Sequence, residues 1–469
     1  MSIDLRNEDG SPKTGVQTQV KRVLAELFGE TPDRMKVPPG SGLPEGGARL
    51  ARRWYDAAKP DLVHPLGYFK NLPNSERSFV RLDGGYSLYR QHCLHCHGVS
   101  GDGMGPTATY LWPRPRDYRR GVYKFTSTNS NKPSREDLRR IILHGVHGTS
   151  MPAFEALMSE ADIEQVIDYV IFLSARGETE LALINEAMSA DDADVQSTIN
   201  AEAGLSIAQT VFESWRQADA PDAALNPPVV RKPSTPESIE SGKSLFLGKT
   251  KENLQCAGCH GADGAGNGPS FIPLKTFQEI VFKGQGLARY DELLVLERLI
   301  EQGGTDQVAA DPTKLPAQIS GTPGEGMSRM VETSSLVKNL ITKKYLTPTE
   351  TGGVRVTIPA DELTDLKKER DLWLASLDDW GTPLRPANLL RGVYKGGRRP
   401  LDLYWRIAKG INGAKMPAHA SIFPDDPGKM WDVVNFVLAL PYQPDLLKGA
   451  EAGPLNPAAM VTPASEHSN

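Results

Sequence analysis

Cysteine is scarce in this sequence: 469 residues hold four, Cys93, Cys96, Cys256 and Cys259. They fall in two close pairs, which leaves no thiol for a disulfide framework. Long apolar runs are missing too. The longest, 166–173 and 433–440, are well below the ~18 residues of a membrane-spanning helix and read as faces of globular helices, so no transmembrane segment is expected. An excess of positive charge is absent as well: 53 Lys and Arg face 58 Asp and Glu, a net charge of −5, which argues against nucleic acid as a partner. The first residues, Met1-Ser2-Ile3-Asp4-Leu5-Arg6, show neither the apolar core nor the small-residue cleavage site of a secretory leader.

What is present is glycine and proline, 44 and 36 residues, in a chain too long for one hydrophobic core. Two or three loop-rich domains are expected, with a cofactor contributing to the core. An amphipathic helix at 16–28 and a Pro/Gly stretch at 37–47 read as part of an N-terminal arm, 1–74. A helix is predicted over 86–96, another over 135–143, and a third over 161–173, where Ile163, Val166, Ile167, Val170 and Ile171 share one face.

The same order then recurs. Cys93-Leu94-His95-Cys96-His97 is answered by Cys256-Ala257-Gly258-Cys259-His260, and the Gly-rich stretch 98–106 by 261–269. Arg120-Gly121-Val122-Tyr123-Lys124 returns as Arg391-Gly392-Val393-Tyr394-Lys395, and Met151-Pro152-Ala153 as Met416-Pro417-Ala418. The chain therefore divides into an arm (1–74), a first domain (75–178), a helical segment and linker (179–237), a second domain (238–445) and a tail (446–469). The second copy carries an insertion at about 270–380 between its Gly-rich loop and the returning Gly-Val-Tyr-Lys.

Two cysteines three apart, followed at once by histidine, suit one helical turn in which both thiols reach the vinyl groups of one haem and the imidazole ligates its iron. A zinc site would need further ligands, and no other cysteine exists. All four cysteines in this frame point to two haem c groups, with His97 and His260 as proximal ligands. Met151 and Met416, at matched places before the last helix and each fixed by a following proline, are the expected distal ligands. His144 and His147 compete with Met151, but Lys409 and Asn412 replace them in the second copy, so both read as outer residues. Arg114, Arg116, Tyr123, Lys124, Arg385, Tyr394 and Lys395 are candidates for haem propionate contacts, with surface solvation as the alternative. The Gly-rich stretch follows a helix rather than a strand, which excludes a phosphate loop.

On these motifs both copies resemble class I cytochrome c domains. The first, with 112–118 and 121–125, is similar to cytochrome c subunits of bacterial respiratory complexes. The resemblance implies a mainly α fold of two helical haem domains, an extracytoplasmic, periplasmic location and single-electron transfer to redox protein partners, including a membrane respiratory complex. That location conflicts with the leaderless start, so a removed leader, another start site or another export route is expected. A di-haem peroxidase, a thiosulfate-type dehydrogenase and a structural haem subunit are the alternatives to a relay.

Overall fold

The computed structural model describes residues 14–30, 35–43, 53–56, 80–188, 195–252, 254–270, 346–348, 354–356, 364, 377–380, 382 and 384–453. The expected insertion, most of the arm and the end of the tail lie outside these. The fold is mainly α, with two short antiparallel hairpins pairing β1 (Arg53–Asp56) with β2 (Val80–Asp83) and β3 (Leu346–Pro348) with β4 (Val354–Val356). Two compact units emerge: Met1–Leu245 with Leu389–Leu446, and Phe246–Asn388 with Leu447–Asn469.

The first unit opens with α1 (Thr14–Phe28), whose Val16, Val20, Val23, Leu24 and Leu27 recur at helical spacing and are buried. Next come α2 (Gly85–His92) and the short α3 (Leu94–His97), then α4 (Arg135–His144), α5 (Glu160–Met188) and α6 (Ala201–Ala218). The closing helix α5 runs well beyond the 161–173 predicted, and its extra length needs covering. α1 and α6 pack against it, with Phe28 edge-on to Phe172 at 5.7 Å and stacked on Phe212 at 6.4 Å. Residues 14–28 are thus core rather than an arm wrapped over the surface.

The first helix of each copy crosses its closing helix at a glycine. A Cβ on Gly85 would lie 2.2 Å from the Gln165 carbonyl of α5. The same construction returns where α7 (Pro236–Phe246) meets α10 (Lys429–Ala439): a Cβ on Gly242 would lie 2.1 Å from the Asp432 carbonyl. Between them in sequence lie α8 (Cys256–His260) and α9 (Pro400–Lys409). Asn435 of α10 binds the linker, donating to the Lys232 and Pro233 carbonyls and accepting from Arg231.

Helices α4 and α9 start alike. Asp137 accepts from the Ser134 N–H while the Ser134 hydroxyl accepts from Asp137, and Asp402 accepts from the Arg399 N–H. Both carboxylates are buried.

Candidate haem centres

In the first copy, α2 delivers Cys93 and α3 places Cys96 and His97 one turn further on. The following loop folds back over them: Gly98 N–H donates to Leu94 O at 2.8 Å, Gly103 N–H to His97 O at 2.9 Å and Gly105 N–H to Cys96 O at 3.1 Å. The second copy repeats this bond for bond, with Gly261 to Ala257 at 2.9 Å, Gly266 to His260 at 2.7 Å and Gly268 to Cys259 at 3.0 Å. Glycine is required here because a Cβ on Gly105 or Gly268 would fall 2.4 or 2.2 Å from a carbonyl oxygen of the motif itself.

The imidazoles of the two motifs meet matching partners. His97 Nδ1 lies 3.1 Å from the Arg116 carbonyl, and His260 Nδ1 lies 3.0 Å from the Ala387 carbonyl. A carbonyl only accepts, so Nδ1–H donates in both rings and Nε2 keeps its lone pair for a metal. Burial pushes His97 down to about 4 and also lowers His260, so in both rings it disfavours the protonated form. Arg116 and Ala387 each follow a proline, Pro115 and Pro386, at the same distance before the Gly-Val-Tyr-Lys repeat.

Burial, then the neighbouring thiol of each pair, pushes Cys93 and Cys256 up to about 12, so these sulfurs keep their protons at neutral pH. Among the described residues no group of three His, Cys, Asp or Glu is placed to hold a metal ion. The two motifs fit covalent haem.

The distal loops are built alike too. α4 ends at Gly145 (φ 66°) and α9 at Gly410 (φ 80°), and a Cβ on either would fall 2.5 Å from the Met151 or Met416 carbonyl. Val146 N–H donates to Met151 O at 3.2 Å and Ile411 N–H to Met416 O at 3.1 Å. Both methionines are half-buried. His144 and His147 are exposed, and the His144 ring lies 3.4 Å from Glu155.

The remaining candidates separate. The Tyr123 hydroxyl shares a 2.8 Å hydrogen bond with Ser174 on α5, and the Tyr394 hydroxyl donates to Val437 O on α10 at 2.9 Å, so each ties its segment to its closing helix. Arg114, Arg116 and Lys124 are half-buried, whereas Arg385 and Lys395 are exposed. Tyr118, which the sequence did not single out, stacks on His97 at 4.7 Å and 20°. Comparison of the repeats hides it, because the second copy has Leu389 there.

A family model described as cytochrome c oxidase, cbb3-type, subunit III matches residues 80–170. A chain of the Kuenenia stuttgartiensis reducing HAO-like protein complex Kustc0457/Kustc0458 aligns at 20% identity over 76% of this chain and 94% of its own, with a TM-score of 0.40. No curated protein matches. Residues 80–170, with Cys93, Cys96 and His97 set in that geometry, are a c-type cytochrome domain, the kind that carries covalently bound haem c.

Proposed function

We propose that the protein is a di-haem electron carrier, with one haem c on Cys93, Cys96 and His97 and another on Cys256, Cys259 and His260. The observation behind the second haem is the matched imidazole orientation, in which His260 meets the Ala387 carbonyl just as His97 meets that of Arg116. When bound, each haem would supply an iron that gains or loses one electron, and histidine with a methionine thioether as ligands would favour the reduced state. Met151 and Met416 are the methionines of this reading, and the matched loops around them support it. Arg114, Arg116, Lys124, Arg385 and Lys395 are the groups available to propionates, while Tyr123 and Tyr394 brace the segments that carry them. The protein acts as a relay between redox proteins, among them a membrane respiratory complex, in an extracytoplasmic compartment, rather than as an enzyme.

A pyridine haemochrome assay should count two covalent haems per chain. Met151→Ala and Met416→Ala should each turn one haem high-spin and able to bind carbon monoxide, while His144→Ala and His147→Ala leave the spectra unchanged. A native high-spin haem with rapid peroxide turnover would replace the relay with an enzyme.

A further inference from the structure

Of the nine large apolar side chains that stand exposed among the described residues, four lie together in the first copy: Val99, Met104, Tyr110 and Trp112. They belong to the Gly-rich loop and the 3-10 turn, Ala108–Tyr110, that follows it. The backbone gathers this stretch around the motif. A Cβ on Gly98 would lie 3.5 Å from the Gly105 nitrogen, so Val99 and Met104, the next residues along, branch from adjoining backbone. Thr107 Oγ1 donates to the His95 carbonyl at 2.8 Å and lies 3.3 Å from Cys96 Sγ, which fastens the turn carrying Tyr110 beside the motif.

The loop does not need these side chains to form. The second copy makes the same backbone bonds with Ala262 in place of Val99 and Asn267 in place of Met104, and Asn267 Nδ2 donates to Asp263 at 3.1 Å. Tyr110 is 86% exposed, so its ring forgoes the gain of burial within this chain. Methionine, tyrosine and tryptophan clustered beside arginine are the composition of the centre of a protein–protein contact.

Charge indicates the partner. From Gly85 to Lys124, Arg90, Arg114, Arg116, Arg119, Arg120 and Lys124 face only Asp102 and Asp117, in a chain of net charge −5. A Cβ on Gly103 would fall 2.5 Å from the Pro115 carbonyl, so the start of the arginine-bearing stretch 114–120 lies against the loop that carries the apolar side chains. The propionates of a bound haem would offset part of this charge and leave its sign. Such a field steers an acidic surface toward the patch and repels a basic one.

We propose that Val99, Met104, Tyr110 and Trp112, flanked by the basic stretch 114–120, are the docking surface on which an acidic redox protein exchanges electrons with the first haem. This rests on the first haem of the reading above. One electron crosses the contact, reducing the partner as ferrous iron becomes ferric or the reverse, and no bond or proton is exchanged.

The test uses the reduced holoprotein, with an oxidised acidic blue-copper protein as the probe and an oxidised basic blue-copper protein and ferricyanide as comparisons. Second-order rates of haem oxidation are followed by stopped flow across ionic strength. In wild type the acidic protein should react fastest at low salt and slow several-fold toward physiological ionic strength, while the basic protein shows no such gain. Replacing both rings, Tyr110→Ser with Trp112→Ser, should cut the rate with the acidic protein about tenfold or more, because aromatic anchors dominate such contacts. The same variant should react with ferricyanide, which needs no apolar face, at the wild-type rate. Arg120→Glu should lower the low-salt rate of the acidic protein and flatten its salt dependence. An undiminished rate with the acidic protein in the double serine variant overturns the docking surface, as does an equal loss with ferricyanide, which would put the effect at the haem. A wild-type rate with the acidic protein that ignores salt overturns the acidic partner and the proposal with it. A chain without haem on Cys93 and Cys96 overturns the reading above as well as the surface.

Discussion

Glu178 shows how one residue links the haem segment to the helices around it. Its carboxylate is half-buried, paired with Lys132 and accepting from Trp215 Nε1 at 2.9 Å, while Lys132 Nζ also lies 5.2 Å from the centre of the Trp215 ring. Burial raises its pKa above the ordinary 4.5 in spite of Lys132. Removing the lysine would leave a half-buried carboxylate without its cation, so Lys132→Met is expected to destabilise the fold by about 1–3 kcal/mol. Adding Glu178→Leu should recover most of that loss. The sign of the pH dependence follows from the raised value. The folded state holds this proton more tightly than the unfolded chain, so the group's contribution is fully present below pH 4.5 and declines as pH rises through the folded pKa. Thermal unfolding across that window should show a steeper fall in Lys132→Met than in wild type. Equal stability of this variant and wild type at neutral pH would mean that Lys132 does not hold the Glu178 charge inside the protein.

At the scale of elements, the glycine crossings are the sharpest point of the design. A methyl at Gly85 would meet both the Gln165 carbonyl and, at 2.8 Å, Tyr169 Cβ; at Gly242 it would meet the Asp432 carbonyl and, at 2.7 Å, Phe436 Cβ. Backbone cannot swing aside as a long side chain does, so Gly85→Ala and Gly242→Ala should each cost about 1–3 kcal/mol or more. Denaturant titration measures this, and a neutral result at either site would mean the crossing relaxes. Phe28→Ala should cost about 3–5 kcal/mol if α1 is core, and almost nothing if it is an arm. Much of this was legible. The repeat exposed the motif helices, the Gly-rich loops after them and the paired Met-Pro-Ala loops, because backbone that passes this close to a motif carbonyl tolerates few residue types. The role of α1 was not, since an amphipathic stripe says that a face is covered without saying by what. The anchors of His97 and His260 were hidden because they are main-chain carbonyls, which no residue type announces. The prolines before them, Pro115 and Pro386, were the available signal.

Across the whole molecule, the duplication is informative chiefly where it fails. Both proximal rings donate to a carbonyl, but one carbonyl belongs to arginine and the other to alanine. The Arg116 charge acts on His97, helping burial to disfavour a positive ring, and with haem bound there the same field would disfavour the extra positive charge of the ferric state. Ala387 exerts no such field. The second copy's basic candidates, Arg385 and Lys395, are exposed, where solvent screens them, while Arg114, Arg116 and Lys124 are half-buried. The first haem should therefore have the higher midpoint, and a redox titration should resolve two one-electron waves. Arg116→Ala tests the cause directly, because it copies the second repeat and retains the carbonyl that orients His97. The wave assigned to the first haem, identified by its response to Met151→Ala, should move to lower potential and narrow the gap. The second wave should stay in place. An unmoved first wave, or an equal shift in both, would mean that the inequality of the centres comes from elsewhere in the chain.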